Sequence, residues 1–240
     1  MNAKPVSTPP ERTPTPRGAQ RLQRLQRAAT EMFLHRGFEG VSLDQLILQA
    51  GGSRRNIYGP CGGKAGLFVA AMGELVGEMA AQIEALLIPE AGLREGLERY
   101  GLKVLELLLQ PRVLAMHRLM VAEAQRFPEL SQAMRDNGPQ RAIAALAAWL
   151  CPFQHAGALR ADLPATRLAE QYLDLVVSTP QMRALVGELP PGWSPAGIQG
   201  HVAASIELFL HGAAAVALAS TPSTPALTPS RAPAPAPRKT

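Results

Sequence analysis

This chain should be all-α. Alanine and leucine abound while aromatic residues are only 5% of the 240, a balance that favours helices over sheets. Apolar residues recur at three- and four-residue spacing in segment after segment. Almost no stretch alternates apolar and β-branched residues with polar ones, so strands are not expected.

The first helix is expected over Ala19–Arg36, with Leu22, Leu25, Ala29, Met32 and Phe33 on one face and Gly37 as its stop. Residues 42–68, SLDQLILQAGGSRRNIYGPCGGKAGLF, carry the most information. Ser42 caps a short helix, and Gln45 stands three residues on as its capping-box partner. Leu43, Leu46 and Ile47 make the apolar face, and Gly51-Gly52 turns the chain. Ser53 caps a second short helix that opens with Arg54-Arg55-Asn56. This is a helix–turn–helix pattern whose second helix offers base- and phosphate-seeking side chains at its N-terminal end.

Six more helical stretches are expected before the last: Lys64–Leu87, Leu93–Leu109, Pro111–Arg126, Pro128–Asp136, Pro139–Leu150 and Ala165–Val177. Proline at a first turn is well placed, because that N–H has no partner in a helix anyway. Pro180 should break or kink the sixth, with helix resuming to Val186. A final helix should span Pro195–Leu218, with Ile198, Val202, Ile206, Phe209 and Leu210 on one face. Residues 1–16 hold five prolines and residues 220–240 hold six. Both lack a hydrophobic pattern and are expected to be disordered tails.

Charge is unevenly laid out. Residues 1–64 carry 10 basic against 4 acidic side chains, residues 65–216 carry 11 against 15, and the last stretch adds three basic ones. A basic head on a mildly acidic body fits a DNA footprint confined to one region, although charge taken alone fits an ordinary solvated basic face better. Cys61 and Cys151 form no disulfide framework. No apolar leader is seen and no segment reaches the ~20 apolar residues of a membrane span, so a cytoplasmic protein without a membrane partner is expected.

The order of these pieces resembles the N-terminal domain of the tetracycline-repressor (TetR) family. The resemblance is carried by Ala28-Ala29, Phe33, Gly37-Phe38, Val41-Ser42, Ala50-Gly51, Ser53-Arg54, Ile57-Tyr58, Lys64 and Leu67-Phe68, and covers residues 19–72. Further on, the stretch from Ala122 to Leu130 and Gly138-Pro139 resemble a subset of these regulators that often neighbour efflux genes. The resemblance implies an all-α homodimer. Its three-helix head would bind operator DNA, its helical body would hold a small molecule, and its last two long helices would pair between copies. The corresponding divisions here are a tail at 1–16, a head at 17–63, a regulatory and dimerisation body at 64–218 and a tail at 219–240. The function implied is a ligand-responsive regulator, in the usual case a repressor released from a near-palindromic operator. An alternative is a helical ligand-binding or interaction protein of the same fold with weakened or lost operator binding. It is motivated by Gly59-Pro60-Cys61, where family members usually carry basic and aromatic residues; Pro60 confines the recognition helix to Arg54–Tyr58.

The expected DNA-binding residues are Ser42, Ser53, Arg54, Arg55, Asn56, Tyr58 and Lys64. Either arginine suits a bidentate contact to guanine, and Asn56 suits adenine or phosphate. Tyr58, Lys64 and the Ser42 hydroxyl or N–H suit phosphate; Ser42 and Ser53 fit simple caps equally well. Met116, His117, Met120, Trp149, Phe153 and Tyr172 are the expected ligand-binding residues, as adaptable methionines and flat rings suit an apolar or cationic effector. Each fits plain core as well. Cys151 and His155 stand four apart, but Pro152 lies between them and no third ligand is near, so no metal site is expected. No phosphate loop, nucleophile elbow or HExxH occurs, and neither cofactor nor enzymatic activity is expected.

Overall fold

A computed structural model describes residues 16–50, 61–188 and 194–213. Among them there are helices and connecting turns and no β-strand. The helices are α1 (Pro16–Arg36), α2 (Leu43–Ala50), α3 (Lys64–Glu84), α4 (Leu93–Leu108), α5 (Pro111–Glu123), α6 (Pro128–Asn137), α7 (Pro139–His155), α8 (Ala165–Leu173), α9 (Thr179–Leu185) and α10 (Pro195–Ala213). Pro16, expected to end the N-terminal tail, opens α1; the rest of the expected tails and the stretch from Gly51 to Pro60 fall outside the described residues.

The apolar stripe of α1 forms its core face: Leu25, Ala29 and Phe33 are buried against α2 and α3. Gly37 donates its N–H to the Phe33 carbonyl at 2.9 Å and ends the helix. Phe38 then folds back, stacking on Phe33 with ring centroids 6.0 Å apart. Phe68 of α3 meets both rings at 5.0 Å. Phe127, in the link between α5 and α6, closes the cluster at 4.8 Å from Phe38 and 5.4 Å from Phe68. Four aromatic rings thus join the N-terminal helices to the body. Such edge-to-face and offset pairs add ~0.5–1.5 kcal/mol beyond burial.

Helix α3 is the central beam. Its 21 residues are apolar enough to cross a membrane by composition alone, but nine of its side chains, from Leu67 to Ile83, are buried inside the protein. It packs on α1, α6 and α7. At its far end Glu84 accepts two hydrogen bonds from Arg141 of α7, at 2.8 and 2.7 Å.

Pro152 behaves differently from the sequence expectation. Helix α7 does not stop at Leu150; it continues through Pro152 to His155. Pro152 leaves the Ala148 carbonyl without its usual N–H, and both residues are exposed, so water can serve that carbonyl. The run after Ala165 resumes past Pro180 as far as Leu185, close to the expected end at Val186. A five-residue π-helical turn, Asp174–Ser178, links α8 to α9, and Pro180 lies in the first turn of α9. Pro180 has no N–H for the Val176 carbonyl. His201 of α10 meets that oxygen with Nε2 at 3.0 Å, and Ser205 Oγ reaches the Leu175 carbonyl at 3.2 Å. A neighbouring helix therefore satisfies carbonyls that proline and the wide turn disturb.

Tyr172 of α8 lies directly on α4. Its hydroxyl donates to the Leu97 carbonyl at 2.6 Å. A Cβ placed on Gly101 would come within 2.3 Å of that hydroxyl, so only glycine allows this approach.

Candidate nucleic-acid interface and internal cavity

The capping box forms as its spacing predicts. Ser42 donates its backbone N–H to Gln45 Oε1 at 3.0 Å, and Gln45 donates its own to Ser42 Oγ at 3.2 Å. The Ser42 backbone N–H is thereby used within the motif, leaving its exposed hydroxyl as the group available to a phosphate. Ser53, Arg54, Arg55, Asn56 and Tyr58 lie outside the described residues.

Gly62 and Gly63 both take positive φ, 69° and 108°, and Gly63 caps α3. That turn sets Lys64 at the helix start. Its Nζ lies 4.1 Å from the centroid of Phe38 and 3.9 Å from Glu39 Oε2. Arg126 stands 4.7 Å from the same ring and pairs with Glu39. The hydrogen bond from Arg126, reinforced by its charge, holds the Glu39 carboxyl below the usual carboxylate range. Arg112 of α5 ties to Glu31 of α1 at 2.7 Å. These pairs are exposed and each contributes little to stability; their significance is where they sit, at the junction of head and body. Cys61, partly buried against the core, has its thiol pKa raised by that burial.

Within the body lies a cavity of about 370 Å³, in the range of small-molecule pockets. Val76, Met79 and Ile83 of α3 form one wall, and Val104 and Leu108 of α4 another. Met116 and His117 of α5 face it, with Met134 of α6 and Ile143 of α7 beside them. The remaining side is the run of α8, the π turn and α9, with Glu170, Leu173, Asp174, Val177, Ser178 and Gln181, and Gln140 of α7 also lines the cavity.

The cavity therefore brings together Met116 and His117 from the expected set, but not Met120, Trp149, Phe153 or Tyr172. Met120 is buried in the core. Trp149 donates Nε1–H to the Ile88 carbonyl at 2.8 Å, with Phe153 against it at 4.9 Å. Tyr172 is committed to Leu97 and Gly101. Asp174, Ser178 and Gln181 were missed because nothing in their local sequence sets them apart; the continuous run from α8 to α9 brings all three to the cavity. No cluster of metal-binding side chains occurs among the described residues.

The polar wall has distinct states. His117 Nδ1 lies 3.1 Å from the Val113 carbonyl, which can only accept, so Nδ1 carries the proton. Burial lowers the ring's pKa against the opposing effect of that bond, and the imidazole is neutral near pH 7 with Nε2 as an acceptor. Gln181 Nε2 is buried with no hydrogen-bond partner. Glu170 is paired with Arg167 at 2.7 Å, and Asp174 accepts the Ser178 hydroxyl at 3.1 Å.

Residues 25–71 match the bacterial regulatory proteins of the tetR family, and residues 95–212 match the C-terminal domain of AefR-like transcriptional repressors. No curated protein matches the chain. Among solved structures, a TetR-family transcriptional regulator from Mesorhizobium loti is 25% identical with a TM-score of 0.76, covering 82% of this chain and 98% of its own. The flavonoid-responsive regulator FrrA is also 25% identical, with a TM-score of 0.67 and coverage of 81% and 97%. A TetR-family regulator from Pseudomonas syringae shares the fold at 23% identity and a TM-score of 0.61, over 80% of this chain and 96% of that one. A capped helix–turn–helix head, an all-α body and two family matches along the chain lead to one conclusion: the protein belongs to the TetR family of bacterial transcriptional regulators.

Proposed function

We infer that this regulator is a ligand-responsive repressor, a cytoplasmic homodimer whose two heads hold a near-palindromic operator until a small molecule enters the cavity. The observation that carries this reading is the double engagement of α5. Its Met116 and His117 wall the cavity, while its Arg112 pairs with Glu31 of α1 in the head. A ligand that shifts α5 would thus bear on the head through one rigid element. The division into a head at 17–63 and a body at 64–218 belongs to the same reading, as does the absence of catalysis. FrrA, similar in fold, is described as flavonoid-responsive; a largely apolar small molecule is the proposed effector class here.

Arg54, Arg55, Asn56 and Tyr58 would read and grip the duplex, with Ser42, Ser53 and Lys64 on phosphates. Arg55→Ala is expected to cost ~1–3 kcal/mol at one base position, whereas Lys64→Ala weakens every sequence and lowers the salt slope by ~1. Gel-shift titrations across salt concentrations measure both. Unchanged affinity in both variants would favour the second reading, a TetR fold with weakened operator binding, for which Gly59-Pro60 is the motive.

The dimer would pair the bent helix of α8 and α9 with α10. Large apolar side chains stand exposed along these elements: Leu175, Met182 at 60%, Val186 at 65% and Leu208 at 67%. Such a set suits a helix-bundle interface. Leu208→Glu should weaken dimerisation by about tenfold or more, given ~1.5–3 kcal/mol per buried leucine. Sedimentation at falling protein concentration reads this directly, and an unaltered dimer would exclude Leu208 from the interface.

A further inference from the structure

Glu39, in the turn after α1, is shared by two cations from different parts of the protein. Arg126, in the link between α5 and α6, donates a hydrogen bond to its Oε1. Lys64, the first residue of α3, reaches its Oε2 only at 3.9 Å, the outer edge of an ion pair. Both cations also lie over the neighbouring Phe38 ring, Lys64 at 4.1 Å and Arg126 at 4.7 Å. The sharing is unequal: Arg126 holds the carboxylate closely and Lys64 stands off from it. Side-chain exposure is 22% for Lys64 and 71% for Glu39. The lysine is therefore the fixed member of that pair, and the carboxylate is the member with room to move. Glu123, at the end of α5, attracts Arg126 as well, so Arg126 has a second partner when it leaves Glu39. A carboxylate and a phosphate are both anionic acceptors, and they compete for the same ammonium.

We propose that Glu39 restrains the grip of Lys64 on a DNA phosphate, and that Arg126 limits this restraint by keeping the carboxylate engaged. A movement of the body that withdraws Arg126 lets Glu39 close on Lys64 and loosens the grip. Glu39 and Arg126 are positioning residues in this scheme; neither touches DNA. The assignment rests on the reading of Lys64 as a phosphate contact.

Fluorescence anisotropy on the full-length protein tests it, with a labelled duplex of random sequence about 30 base pairs long. Salt is held at about 50 mM, where phosphate contacts weigh heavily. Glu39→Gln is expected to bind the duplex about threefold to fivefold more tightly, and Arg126→Ala more weakly by a similar factor. Both side chains are more than half exposed, so neither change empties the core. Two double variants carry the decision. In a Lys64→Ala background the gain from Glu39→Gln should vanish, and in a Glu39→Gln background most of the loss from Arg126→Ala should vanish. A mere change in net charge acts whether or not Lys64 is present, so it does not reproduce this pattern. If Lys64→Ala alone leaves binding unchanged, the phosphate reading of Lys64 fails and the proposal with it. If Lys64→Ala weakens binding, three results overturn the restraint alone. These are no gain from Glu39→Gln, a gain that persists without Lys64, and an Arg126→Ala loss that persists beside Glu39→Gln.

Discussion

Phe68→Ala is expected to lower the unfolding free energy by about 3–5 kcal/mol, the cost of emptying a well-packed aromatic site. Phe68 is fully buried and touches three other rings. Two of them, Phe33 and Phe38, belong to the head; the third, Phe127, belongs to the body. Loss of the ring therefore leaves a cavity at the one place where α1, α3 and the link before α6 converge. Typical domains are stable by only 5–15 kcal/mol, so the variant should also bind DNA poorly at 37 °C through partial unfolding. Phe127→Ala should cost less, because Phe127 is only partly buried. Its effect should fall more on the coupling of head to body than on the head itself. Urea titration gives both values, and a Phe68→Ala loss no larger than that of Phe127→Ala would show that the cluster is not centred where the geometry puts it.

Gly101→Ala is expected to destabilise by ~1–3 kcal/mol, the range for overpacking a filled core. The added methyl would stand 2.3 Å from the Tyr172 hydroxyl and 3.1 Å from Val202 Cγ1. The first contact is impossible without movement, and Tyr172 is held in place by its bond to the Leu97 carbonyl. Tyr172→Phe alone should cost ~0.5–1.5 kcal/mol for that bond. The double variant should be less destabilised than the sum of the two, because the phenol oxygen that clashes has been removed. Additive losses would mean that Val202 or the helix backbone, and not the hydroxyl, sets the limit at Gly101.

What the sequence made readable follows from how local each signal is. The capping box at Ser42 and Gln45, the stop at Gly37 and the proline starts of α5, α6 and α7 are decided within one helical turn, and they form where expected. The bent helix was less legible. Whether Pro180 breaks a helix depends on who serves the Val176 carbonyl, and that partner, His201, is 25 residues away. The cavity was half legible for the same reason. Methionine and histidine on α5 are visible as candidates, but Trp149 and Tyr172 look like pocket aromatics until their hydrogen bonds to Ile88 and Leu97 are known. Gln181 gave no signal, since an amide is remarkable only when its surroundings leave it without a partner. Arg54 to Tyr58 lie outside the described residues, and their role remains a proposal argued from sequence.

The proposed mode of action is a two-fold pair of helix–turn–helix heads on DNA. Selection from a random duplex pool by the purified full-length chain at low salt, followed by sequencing, tests it most directly. Enrichment of a near-palindrome whose half-sites lie about one helical turn apart, ~10 base pairs centre to centre, is expected. A pool that shows no enriched two-fold motif would contradict it.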